Sequence, residues 1–221
     1  MNDTRKTIGW CDYSWNPVTG CLHGCWYCYG KKMYTRFGRS FEPTFHPERL
    51  KEPWELKKPS KIFCCSVADL FAPWTPPEWR DKVFESIKHC PVPHTFQLLT
   101  KNPEGVIQPC PDPRTVWLGV TVTNRDDEKK IQELYMNAFD HNYHHIFVSF
   151  EPLLEEIDRP NLSGFNWVII GKLTGSKKVS LNPEWVSAIL RQARLDDIPV
   201  FIKNNIIKNF PQFQGIQEFP Q

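Results

Sequence analysis

Six short apolar runs punctuate the chain, at 61–66, 95–100, 116–122, 145–150, 167–170 and 200–203. Their length and their content of β-branched and aromatic residues predict buried strands. Between them the apolar positions recur at helical spacing. In 77–90, Trp79, Val83, Phe84 and Ile87 share one face, and Thr75 with Glu78 has the spacing of a capping box. In 126–138, Ile131, Leu134, Tyr135 and Ala138 line up behind Asn124 as a candidate cap. In 183–195, Asn182 precedes a proline at the first helical position, and Trp185, Ile189 and Ala193 follow at intervals of four.

Strand and helix therefore alternate, which implies a parallel sheet with helices outside it, as an open doubly wound sheet or a partial or complete barrel. In either arrangement chemistry collects at the C-terminal strand ends. Those ends carry Ser66 and Asp69, Thr100 and Lys101, Thr121 and Asn124, Ser149 and Glu151, Lys172, and Lys203 with Asn204. Ordinary solvated loops account for about half of this polarity; the remainder marks candidate site residues.

The bulk numbers narrow the class. At 221 residues the chain is long enough for one sizeable core, so a single domain over 1–221 is expected. Hydrophobic residues make up 40% and charged residues 24%, the range of ordinary globular proteins. A net charge of +2 provides no whole-molecule field from which to infer a nucleic-acid partner, although a local basic patch remains open. The first eight residues are mostly polar, and no apolar run approaches the roughly 18 residues of a membrane span, so a cytoplasmic protein without a membrane partner is expected. In a reducing compartment eight cysteines point to metal rather than to disulfides.

The cysteines are concentrated in Thr19-Gly20-Cys21-Leu22-His23-Gly24-Cys25-Trp26-Tyr27-Cys28-Tyr29. Three thiols within eight residues let one loop wrap a compact cofactor, and Gly20 and Gly24 allow the backbone to approach it. A cubane iron-sulfur cluster takes a thiolate on each iron, so three close cysteines leave one iron open to another ligand. A zinc site completed by His23 or Cys11 is the alternative. The remaining cysteines, single or as the adjacent pair Cys64 and Cys65, lack the second paired knuckle usual in zinc ribbons.

Cys-x3-Cys-x-aromatic-Cys resembles the signature of the radical-SAM superfamily, with Tyr27 at the aromatic position. The segment Trp15-Asn16-Pro17-Val18-Thr19-Gly20-Cys21 is similar to a small phage- and prophage-associated branch related to spore photoproduct lyase, whose members mostly lack assigned substrates. SVADLF at 66–71, WLGVTVTN at 117–124, SFEPLL at 149–154, WVIIG at 167–171 and NPEWV at 182–186 extend the likeness from about Gly9 to Lys203.

The resemblance implies an α/β fold, a partial (β/α)6 TIM-type barrel with a radical-SAM core. Its cluster loop would lie at 15–30, its barrel at about 60–205 and a tail at 206–221. It implies a [4Fe-4S] cluster on Cys21, Cys25 and Cys28, and reductive cleavage of S-adenosylmethionine to a 5′-deoxyadenosyl radical that abstracts hydrogen from a substrate. Tyr27 would lie beside the adenine, Ser66 and Asp69 would meet the methionine ammonium, Lys101 its carboxylate, and Thr121 and Asn124 the ribose. Glu151, Lys172 and Lys203 would face cofactor or substrate as the catalytic set. A one-electron reductant such as flavodoxin or ferredoxin and a nucleic-acid substrate are the implied partners.

Two departures limit that inheritance. Relatives have Gly-Gly-Glu-Ser-Gly where this chain reads Gly171-Lys172-Leu173-Thr174-Gly175-Ser176, so a cation replaces an expected carboxylate. No cysteine follows Cys110, so the late thiol hydrogen donor of spore photoproduct lyase has no counterpart, and Cys64 or Cys65 is the source that a thiol donor would require. A zinc-stabilised non-catalytic binding module and an electron-transfer or sensor protein that holds a cluster without S-adenosylmethionine are the competing classes.

Overall fold

The computed structural model describes residues 1–175 and 179–220. In chain order its elements are β1 (Asn2–Asp3), β2 (Tyr13–Trp15), β3 (Val18–Thr19), α1 (Tyr29–Arg36), β4 (Thr44–Phe45), β5 (Lys61–Cys64), α2 (Pro77–Lys88), β6 (Thr95–Thr100), β7 (Val116–Thr121), α3 (Lys129–Asp140), β8 (His145–Leu153), β9 (Trp167–Lys172), α4 (Pro183–Leu195), β10 (Val200–Ile202) and α5 (Asn204–Ile207). Eight strands form one sheet in the order β1-β2-β5-β6-β7-β8-β9-β10. Every neighbouring pair is parallel except β1 with β2. Because spatial order follows chain order, each crossover steps the same way, and the uniform right hand of such crossovers puts α2, α3 and α4 on one face. A doubly wound sheet would need a reversal of strand order. The result is a curled, half-barrel-like parallel sheet rather than a regular (β/α)6 barrel: β6 and β8 are followed by irregular segments instead of α-helices.

Alternate residues of the strands serve two separate cores, as the period of two requires. Ile62, Leu98, Leu118, Val148, Ile170 and Ile202 join Val83, Ile87, Ile131, Leu134, Val186 and Ile189 from the helices. The other face collects Phe63, Trp117, Phe147, Trp167, Ile169 and Phe201 around Trp10 and Cys11. This aromatic packing fills the concave side, with Trp10 centred 4.7 Å from Phe63 and 6.2 Å from Trp167. The chain end closes the open edge. Ile202 N–H donates to Ile216 O and Glu218 N–H to Val200 O, while Arg194 pairs with the Glu218 carboxylate. An edge strand is thereby covered.

The helix at 183–195 and the strand at 95–100 form as expected, and Asn182 caps its helix by accepting from Glu184 N–H. Other boundaries move for local reasons. The strand expected to reach Ser66 stops at Cys64, because Cys65 turns to a φ of 58°. The Thr75 capping box does not form; its hydroxyl donates to Asp69 O at 2.9 Å and α2 starts from Pro76 without a side-chain cap. Asn124 caps a short 3-10 turn at Arg125–Asp127, so α3 begins at Lys129 rather than 126. Neither β2 nor α1 is anticipated by the hydrophobic pattern, and β2 is the first of the seven parallel strands. Cys64 and Cys65 pack in the helix-side core, away from the concave face where a hydrogen donor would have to stand.

Gly119 lets the Phe147 ring cross β7: a Cβ there would lie 2.4–2.6 Å from three ring atoms. Gly119→Ala is expected to destabilise the protein by about 1–3 kcal/mol through overpacking, although Ala in an open strand position is favoured over Gly. Urea unfolding measures this, and Phe147→Leu in the same chain should restore part of the loss.

Candidate functional site

The three-cysteine loop hangs from the C-terminal ends of the parallel strands. Gly20 forms a parallel bridge with Ala68 just beyond β5 and donates its N–H to Val67 O, and Cys21 N–H reaches Phe41 O. Gly20 has a φ of +86°, and a Cβ there would stand 2.1 Å from Glu42 O, so only glycine can pass this crossing. Cys28 N–H then closes a turn on Cys25 O, and the Cys28 thiol caps α1 by accepting from Lys31 N–H. All three cysteines are free and partly exposed. Burial pushes the Cys21 thiol up to about 11 against a backbone hydrogen bond from His23, with the Asp69 charge and then Cys25 and Cys28 adding to the rise. Among the described residues no group of three or more His, Cys, Asp or Glu side chains stands in metal-holding geometry.

Asp69 ties this loop to the sheet. One carboxylate oxygen accepts from the Thr100 hydroxyl at 2.7 Å and from Phe71 N–H at 3.1 Å. The other accepts from Lys101 N–H at 2.8 Å and lies 2.8 Å from His23 Nε2. Asp69 is buried, and these four contacts use the acceptor capacity that the resemblance assigned to a methionine ammonium. His23, read from the sequence as a zinc-ligand alternative, is held by this carboxylate and packs edge-on against Trp74. Cys11, the other alternative, lies in the concave-face core with its Sγ 3.1 Å from the Thr4 hydroxyl.

Lys101 and Tyr27 meet across the mouth. Lys101 Nζ donates to Tyr27 Oη at 3.1 Å and lies 5.5 Å from the ring centroid. Burial disfavours the charge on both groups, lowering the Lys101 ammonium and raising the Tyr27 phenol. Nearby, Thr123 N–H and its hydroxyl both donate to Asp127, whose other oxygen accepts from Lys130 Nζ. Thr121 and Ser149 are buried and paired in register between β7 and β8.

Glu151 and Lys203 form an ion pair just beyond the polar layer. Gly171 makes room for it: a Cβ there would lie 2.8 Å from the Glu151 carboxyl carbon. Lys172 stands on the alternate position of the strand and donates to Asn209 Oδ1 at 2.6 Å, so it does not join Glu151 and Lys203. Ser66 donates to Asn16 Oδ1, and Ser66 O accepts from the Tyr29 hydroxyl. Asn124 Oδ1 is occupied by its cap, which leaves its amide N–H groups. The structure therefore gathers Tyr27, Asp69 and Lys101, and separately Glu151 and Lys203. Sequence reasoning treated His23 only as a zinc-ligand alternative and passed over Thr123, Asp127 and Gly171; for Gly171 the signal was a glycine one step after an apolar strand.

A curled parallel sheet with its polar groups at the C-terminal strand ends defines the class of fold. The chain belongs to the family described as "Protein of unknown function (DUF5131)", whose model matches residues 5–207. No curated protein matches it. Among solved structures it is similar to spore photoproduct lyase. A cysteine variant of that protein aligns over 91% of this chain and 78% of its own, with a TM-score of 0.61 at 9% identity. A variant with bound AdoMet and dinucleoside spore photoproduct aligns over 87% and 76%, with a TM-score of 0.57 at 9% identity. At that identity the likeness is one of fold. Among the described residues no helix is long and apolar enough to cross a membrane.

Removing the Asp69 carboxylate strands several buried donors at once. Asp69→Ala is expected to lower the unfolding free energy by about 3 kcal/mol or more, and Asp69→Asn by less, measured by chemical denaturation. Gly171→Ala should displace the Glu151 side chain from Lys203, which a crystal structure of the variant would show directly; an undisturbed pair would contradict the packing described.

Proposed function

We propose that this chain is a radical-SAM enzyme whose [4Fe-4S] cluster is held by Cys21, Cys25 and Cys28. The observation that carries the reading is the position of the three-thiol loop, fastened by Asp69 to the C-terminal mouth of a curled parallel sheet. The donor chemistry suits a cluster: three free, partly exposed thiols lie in one loop whose Gly20 crossing admits no side chain, and binding would draw them together from positions that are not yet metal-holding. When bound, the reduced cluster supplies the electron that cleaves S-adenosylmethionine to a 5′-deoxyadenosyl radical, which abstracts hydrogen from the substrate.

The protein's own residues position and exclude. Asp69 is a positioning residue: through His23 it sets the loop, and through Thr100 and Lys101 it sets the end of β6. With Asp69 filled, Ser66 remains to accept from the methionine ammonium, its hydroxyl oxygen keeping acceptor capacity while it donates to Asn16. Lys101, partly stripped of water and lying against Tyr27, would meet the methionine carboxylate, because a dehydrated ammonium gains most from an anion. Thr121 and the free amide of Asn124 offer hydrogen bonds to ribose hydroxyls. Glu151 and Lys203 neutralise each other in the mouth, and an incoming polar substrate would exchange into that pair. Lys172 lies outside this group.

The reading carries with it a one-electron reductant such as flavodoxin or ferredoxin and a cytoplasmic setting. A nucleic-acid substrate is supported by the shared fold with a protein seen in complex with dinucleoside spore photoproduct. Anaerobic reconstitution with iron and sulfide tests the assignment. Cys25→Ala should lose iron retention while Cys90→Ala keeps it, and the reduced wild-type protein should release 5′-deoxyadenosine from S-adenosylmethionine. Equal iron in both variants would refute the ligand assignment; tightly bound zinc without cluster absorption would favour the binding-module class.

A further inference from the structure

Helix α1 turns its larger hydrophobic residues outward. Its inner face is Gly30, packed against Phe41, and Tyr34, whose ring centroid lies 5.0 Å from that of Phe41. On the opposite side Tyr29, Met33 and Phe37 follow one another at intervals of four, with exposures of 59%, 40% and 65%. Such a stripe is not explained by the core, because a helix packed on a sheet buries its apolar face.

The same surface is cationic. Lys31, Lys32, Arg36 and Arg39 are all exposed, and among the described residues none of them forms a salt bridge. From Tyr13 to Phe41 the sequence contains no Asp or Glu. Several cations elsewhere are matched, Arg114 with Asp112, Arg125 with Glu156, Lys130 with Asp127 and Arg194 with Glu218, and the α1 face differs in gathering four unmatched ones without an acidic neighbour in sequence. In a chain of net charge +2, the excess on α1 is a local concentration rather than a general property. The stripe begins at the candidate site, since Cys28 caps α1 and the Tyr29 hydroxyl donates to Ser66 O.

Exposed ring faces interleaved with unpaired cations are complementary to a single strand of nucleic acid, whose bases stack and whose phosphates pair. A flat anionic partner would satisfy the cations but leave the rings in water. We propose that the outer face of α1 docks a single-stranded nucleic-acid segment, with bases stacked on Tyr29 and Phe37 and phosphates on Lys31, Lys32, Arg36 and Arg39. The segment would lead into the mouth where Glu151 and Lys203 stand. The inference names the substrate class of the site and rests on the enzyme reading for its chemistry; the docking itself does not need the cluster.

Fluorescence anisotropy of a labelled single-stranded DNA of about a dozen nucleotides, with the full chain before and after reconstitution, tests it. Binding is expected in both states, with log K falling against log salt at a slope of about −3 for four phosphate contacts. Lys32→Glu with Arg36→Glu should weaken binding at least tenfold and flatten the slope. Phe37→Ala should weaken it on the order of tenfold, while Lys88→Glu on α2 leaves it unchanged. Circular dichroism confirms that these surface variants fold. Unaltered affinity in the α1 variants would overturn the proposal, as would equal affinity for an abasic strand. Absence of DNA binding, with an acidic flavodoxin or an anionic phospholipid vesicle bound through the same residues instead, would also overturn it. DNA binding that depends on α1 in a protein that never releases 5′-deoxyadenosine would support the docking surface and defeat the enzyme reading.

Discussion

A single buried carboxylate holds the candidate site together. Asp69 accepts from the end of β6, from its own loop and from a histidine inside the cysteine loop, so three segments distant in sequence take their relative positions from it. A buried carboxylate left without partners would be strongly unfavourable, and here each oxygen has two. The loop that carries the thiols, with its two left-handed glycines, is otherwise fastened by the backbone bonds of Gly20 to Val67 and Cys21 to Phe41 and by Lys101 on Tyr27. Asp69 is the side chain that joins the loop and the end of β6 at one buried point.

The parallel sheet determines where that carboxylate can act. Uniform crossovers place α2, α3 and α4 on one side, and the concave side is closed by tryptophan and phenylalanine rings. On the concave side Thr121, Ser149, Glu151 and Lys203 gather at the C-terminal strand ends beyond the last apolar layer, while Gln97 is a buried polar residue within that layer, level with Phe63 and Trp117. Two glycines allow this arrangement without strain: Gly119 admits the Phe147 ring and Gly171 admits the Glu151 carboxylate. Both are places where a side chain would compete for space with a neighbour that the site or the core requires.

Much of this was legible in the sequence, for reasons that differ by element. The long strands and α4 were readable because a fully buried strand is continuously apolar and an amphipathic helix repeats near every fourth residue. β2 was missed because Tyr13–Trp15 is three residues long and flanked by polar ones. α1 was missed although Tyr29, Met33 and Phe37 recur at helical spacing, because it is only eight residues long and starts inside the cysteine motif; the structure turns that face to solvent. The strand-end residues were found by position alone, which cannot show what a side chain touches. Asp69 was therefore expected to meet a ligand when it is filled by protein donors, and Lys172 was grouped with Glu151 although the strand's alternation turns it away. The three-cysteine loop could be located from spacing alone, and the structure adds what the spacing cannot give, its attachment to the sheet through His23 and Asp69.

The central claim is that three thiolates leave one iron available to S-adenosylmethionine. Electron paramagnetic resonance of the anaerobically reconstituted and reduced protein, recorded before and after addition of S-adenosylmethionine, tests it most directly. The account predicts the signal of a reduced [4Fe-4S] cluster whose g values shift when S-adenosylmethionine is added. A cluster signal that S-adenosylmethionine leaves unchanged, or no cluster signal at all, would contradict it.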